Sequence, residues 1–67
     1  MVKDQLALRI RAFRKLKGYT QLEFADELGV SVAVLGAIER GARRADEQMV
    51  GRIANALDIE RSDLLEG

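Results

Sequence analysis

Helix punctuation is the strongest constraint in this 67-residue sequence. Gly18, Thr20, Gly29, Ser31, Gly41 and Asp46 cut the chain into short segments, and each is a residue type that starts or ends a helix for a physical reason. Glycine takes the left-handed conformation that closes a last turn, and a short oxygen-bearing side chain accepts a hydrogen bond from an orphan amide of a first turn. Glu23 follows Thr20 at the reciprocal capping-box spacing, so a helix is expected over residues 21–28. Gly29 then closes it, Ser31 caps the next, and Gly41 ends that one after Arg40. The link between these two helices is about three residues, Gly29 to Ser31.

Apolar spacing fills in the remaining elements. Leu6, Ile10, Phe13 and Leu16, with Ala7 alongside, recur at three- and four-residue intervals, which predicts one buried face on a helix from about Lys3 to Lys17. Leu22, Phe24, Ala25 and Leu28 are the apolar positions of the second helix. Asp46 caps a fourth whose stripe is Val50, Ile53, Ala54 and Leu57, ending near Asp58, and Arg61 or Ser62 opens a last turn carrying Leu64 and Leu65. Leu8, Leu22 and Met49 fall off these stripes and read as scattered surface residues. No stretch alternates with period two, and proline, repeats and low-complexity segments are absent. The expectation is an all-α fold, a single compact domain over residues 1–67 with five helices and short links.

Composition narrows the function classes. Without cysteine there is no disulfide scaffold or thiolate metal site, and without histidine the commonest metal ligand and neutral-pH base are missing. Nothing supplies a phosphate loop or a converging carboxylate pair, so neither enzyme, cofactor nor metal is expected. The longest apolar run, Val32 to Ile38, is far short of a bilayer span, so the expected location is cytoplasmic, with no membrane partner. The zero net charge hides a gradient. Lys3, Arg9, Arg11, Arg14, Lys15 and Lys17 face only Asp4 in residues 1–22, whereas Asp46, Glu47, Asp58, Glu60, Asp63 and Glu66 face only Arg52 and Arg61 in residues 45–67. Such asymmetry marks either a face for a polyanion or ordinary solvated helix surfaces.

Two short helices joined by a glycine-containing turn form the unit whose second helix can enter a DNA major groove. The spacing of Ala25, Gly29, Leu35 and Ile38, with Phe24, Leu28 and Val30 inward, resembles the Cro and phage-repressor type of helix-turn-helix, the XRE family. "LALRIRAFRKLKGYTQLEFADELGV", "IERG" and "RIANALDI" follow the family's order through nearly the whole chain. The resemblance implies a lambda-repressor-like DNA-binding domain with its helix-turn-helix at about residues 21–40. It also implies a structural ion pair between Arg14 and Glu39, with helix 1 held against the reading unit. Ala45-Asp46 stands where the family often has proline and then a cap, so a looser link is expected there.

By the same resemblance, DNA phosphates fall to Gln21 and the amides opening helix 2, to Ser31, and to Arg40, Arg43 and Arg44. The base-reading positions correspond to Val32, Ala33 and Ala37, with Val34 or Gly36 beside them. None of these five carries a side-chain donor or acceptor, so bidentate base contacts cannot form from them. What remains is thymine-methyl contact, close backbone approach at Gly36 and shape reading by the arginines. Two other readings compete: Val32 and Val34 as core residues, or the five as an exposed apolar patch for a protein partner, as in an anti-repressor or antitoxin-like module. Leu57, Ile59, Leu64 and Leu65 exceed what a short terminal helix needs, so some are expected to cover the core and the rest to form a two-fold homodimer seam. The expected role is a transcriptional regulator that represses by occupying an operator on double-stranded DNA as a homodimer. Lacking a second domain, it is expected to need no small-molecule ligand.

Overall fold

Hydrogen bonds between residues three to five apart set the ends of the helices. The computed structural model describes residues 5–66, in the order α1 (Gln5–Leu16), α2 (Gln21–Leu28), α3 (Val32–Glu39), α4 (Glu47–Leu57) and α5 (Arg61–Leu65). Thr20 Oγ1 accepts from the Glu23 amide while Glu23 Oε1 accepts from the Thr20 amide, which completes the capping box of α2. Ser31 caps α3 through the Val34 amide, and Asp46 caps α4 through the Met49 amide at 2.8 Å. Arg61 opens α5, with Glu60 at its cap position. Asp46→Ala is expected to lower stability by about 1 kcal/mol, the usual worth of such a cap, and a thermal melt measures it.

The first four helices share one ending. In α2 the Val30 amide donates to the Ala25 carbonyl and the Gly29 amide to that of Asp26, and the same pair of bonds recurs after α1, α3 and α4. That arrangement requires a left-handed residue, supplied by Gly18, Gly29 and Gly41 and, after α4, by Asp58 at φ 60°.

Every helix contributes to the one apolar cluster: Ile10, Phe24, Leu35, Ile53, Leu57 and Leu64 are fully buried. α3 packs on α1 and α2, and α5 closes the core against α1 and α4. Two arginines tie helix C-termini to their neighbours, where unpaired carbonyls attract cations. Arg9 of α1 donates to the Leu64 carbonyl at 3.1 Å, and Arg52 of α4 donates to that of Leu28.

The burial corrects several expectations. Leu16 is 75% exposed, because Arg14 takes the last inward position of α1, whereas Ala7 and Ile10 are buried and Leu6 and Phe13 pack on the core as expected. Leu16 continues instead the outer row of Leu8 and Ala12. Met49 is half-buried against the core rather than a stray surface residue, whereas Leu8 and Leu22 are exposed. Ala45 also packs on the core, so the link before α4 is anchored. Leu57 and Leu64 are 1% and 0% exposed, fully consumed by the chain's own interior, and cannot form a seam. Ile59 is half-buried against the core; Leu65 alone of the four is exposed. Lys3, the expected start of α1, lies outside the described residues.

Candidate nucleic-acid interface

The α2–α3 unit is held to α1 by a nearly dry ion pair. Arg14 Nε donates to Glu39 Oε2 at 2.6 Å and Arg14 Nη2 to Glu39 Oε1 at 3.1 Å, with side-chain exposures of 8% and 2%. Two further bonds satisfy the pair. Arg14 Nη1 donates to the Tyr19 carbonyl at 2.8 Å, and Gln21 Nε2 donates to Glu39 Oε1 at 3.1 Å. Among the described residues no buried side-chain polar atom lacks a partner. The bidentate contact fixes the end of α3 to the last turn of α1, and the Gln21 bond adds the start of α2.

The residues read from sequence as the interface divide on α3. Val32 and Ala33 are exposed on its first turn, and Ala37 is half-exposed one turn on. Val34 is half-buried and packs on the core cluster, which corrects its assignment to the reading face. Gly36 is buried and so is not an exposed approach point either: a methyl built there would stand 3.2 Å from Arg40 Nη1 and 3.8 Å from Gln21 Nε2. Gln21 is half-buried with its amide nitrogen already bonded to Glu39. Ser31 is exposed beside Val30 and Val34 in a shallow groove that Arg43 and Arg44 also line.

The eight arginines separate into two sets. Arg9, Arg14, Arg52 and Arg61 donate hydrogen bonds to the fold. Arg11, Arg40, Arg43 and Arg44 are exposed, and their guanidinium groups donate to no described residue. Arg40 extends from the end of α3, and Arg43 and Arg44 follow on the α3–α4 loop. Arg11 is the residue that sequence reasoning missed. It lines one cleft with Thr20, Gln21 and Arg40, beside the buried pair. Its signal was available, since three residues before Arg14 on a helix is the adjacent position on the same face. A guanidinium free of the fold offers five donors in a fork that matches a phosphate. Among the described residues no group of acids could hold a metal ion, and no helix is long and apolar enough to cross a membrane.

The fold and this geometry match known proteins. A family model described as helix-turn-helix covers residues 10–64. The chain is 54% identical to the HTH-type transcriptional regulator YazB of Bacillus subtilis (strain 168), over 84% of this chain and 81% of that protein. The DNA-binding domain of the P22 C2 repressor superposes with a TM-score of 0.90 at 27% identity, over all of this chain and 88% of that one. SinR, a master regulator for biofilm formation whose structure is a complex with DNA, superposes with a TM-score of 0.83 at 33% identity, over 90% of this chain and 97% of that one. The chain therefore belongs to the helix-turn-helix family of XRE type, the Cro- and repressor-like transcriptional regulators.

Proposed function

We propose that this domain binds double-stranded DNA and represses transcription by occupying an operator as a homodimer. The observation that carries the reading is the division of the arginines: four side chains serve the fold, while the guanidinium groups of exposed Arg11, Arg40, Arg43 and Arg44 donate to no described residue. In this reading they position the domain on phosphates, while Val32, Ala33 and Ala37 meet thymine methyls and groove shape. Bases are discriminated weakly, and sites rich in A·T are favoured. The fold's longest dimension is 29 Å, shorter than the separation of about 34 Å between successive major-groove half-sites. In this reading a pseudo-palindrome is met by two copies, one on each half-site. A regulator of this kind works in the compartment that holds the DNA, the cytoplasm for a bacterial chain.

A protein-binding role for α3 has less to stand on. With Val34 turned to the core and Gly36 covered, its exposed apolar surface shrinks to Val32, Ala33 and part of Ala37. Titration of labelled duplexes at several salt concentrations tests the DNA reading. Arg43→Ala and Arg44→Ala should each weaken binding about equally across sequences and flatten the salt slope by about one. Ala33→Gln should instead change which sites are preferred, because its amide can pair with adenine N6 and N7. A wild-type chain that binds no duplex even at low salt turns the assignment to a protein partner.

A further inference from the structure

Two glycines stand inside helices with no backbone reason to be there. Gly36 in α3 and Gly51 in α4 lie outside the set with positive φ, which is Gly18, Gly29 and Gly41. An interior helical glycine weakens its helix relative to alanine. Its use must lie in what the absent side chain leaves room for, and at both positions that is an arginine guanidinium. A methyl at position 51 would stand 3.3 Å from Arg61 Nη1, and one at position 36 would stand 3.2 Å from Arg40 Nη1. Both separations are tighter than ordinary side-chain contact.

The two seats differ in what their arginine does next. Arg61 is used by the fold, since its Nη2 donates to the Glu47 carbonyl at 3.2 Å. The Arg40 backbone amide closes α3 on the Gly36 carbonyl, but its guanidinium, which lies back along α3 from the helix end, donates to no described residue. Gln21, whose Nε2 would stand 3.8 Å from the same methyl, lines the cleft with Arg40 and is held by its own bond to Glu39 and so by the buried ion pair. Arg11 lines the other side of the same cleft. The guanidinium, on an exposed residue, therefore lies over the bare backbone of Gly36 with its donors unspent.

We propose that Gly36 is a positioning residue for DNA: its missing side chain seats the Arg40 guanidinium so that it meets a backbone phosphodiester already oriented. The proposal rests on the DNA-binding reading above. An exposed arginine loses much rotamer freedom when a ligand fixes it, and a seat that restricts it beforehand removes part of that cost. Alanine at position 36 would put its methyl 3.2 Å from Arg40 Nη1, so the guanidinium has to shift from its place over the backbone. It also improves the intrinsic propensity of α3, so this substitution stabilises the fold while weakening its function.

The test is a double-mutant cycle on the full chain, using a labelled duplex of mixed sequence at several salt concentrations, with a thermal melt of each variant. Gly36→Ala should melt at or above the wild-type temperature and bind about three- to tenfold more weakly, with a salt slope shallower by up to about one. In an Arg40→Ala background the same substitution should change neither affinity nor slope. Arg40→Ala alone, at an exposed residue, should reproduce the loss from the other side of the pair. Gly51→Ala should alter the melt and leave DNA affinity unchanged, because the arginine it displaces serves the fold. A Gly36→Ala variant that binds like wild type, or that loses as much affinity without Arg40 as with it, overturns the seat while leaving DNA binding intact. A wild-type chain that binds no duplex overturns both.

Discussion

Glu39→Ala should cost roughly 3–5 kcal/mol of folding free energy, because it leaves the Arg14 guanidinium buried without a counter-charge. A domain of this size loses about 4–8 °C of melting temperature per kcal/mol, so most of the transition should fall below the working range. Arg14→Ala should fall nearly as far, since it strands the Glu39 carboxylate, whose side chain is 2% exposed. The joint replacement Arg14→Met with Glu39→Leu should recover much of the loss, as no uncompensated charge remains buried. Melts of the four proteins give the coupling between the two residues. Small, additive losses would mean that the pair does not hold α1 to α3. Glu39 also orders Gln21 through Oε1, so a folded Glu39 variant should bind DNA more weakly than its stability alone explains.

Leu64→Glu should abolish folding, while its neighbour's replacement, Leu65→Glu, should stay within about 0.5 kcal/mol of the parent. Leu64 is fully buried, and a carboxylate there has no partner, which places the expected cost above about 4 kcal/mol. Leu65 is 52% exposed and can be charged without desolvation. Circular dichroism separates the two variants, and sedimentation of Leu65→Glu asks whether the exposed leucine contributes to self-association. A Leu64→Glu chain that stays folded would show that α5 does not close the core.

The helices and their limits were legible because the interactions that set them are local. Thr20 meets Glu23, Ser31 meets the Val34 amide and Asp46 meets the Met49 amide, all three residues apart, and each is written in consecutive residue types. Gly18, Gly29 and Gly41 announce their left-handed turns in the same way. The stripe of α4 was equally readable, since Val50, Ile53, Ala54 and Leu57 all turn inward. Periodicity failed in α1, where Arg14 occupies an inward position and Leu16 an outward one. A charged residue counts against burial in any apolar pattern, and only its partner 25 residues away makes the position inward.

By itself, then, the sequence determined five helices, the caps of α2, α3 and α4 and the order in which the helices turn, and through the resemblance the helix-turn-helix family. Tertiary structure decided which side chains remain available to a partner. It turned Val34 to the core, covered Gly36 with Arg40, consumed Leu57 and Leu64, and set Arg11 beside Gln21. Caps and turns follow from hydrogen bonds within a few residues, which a sequence spells out. Availability is the remainder left after distant helices have packed, and a leucine surplus or an arginine count reads the same whether those side chains are spent inside or left outside.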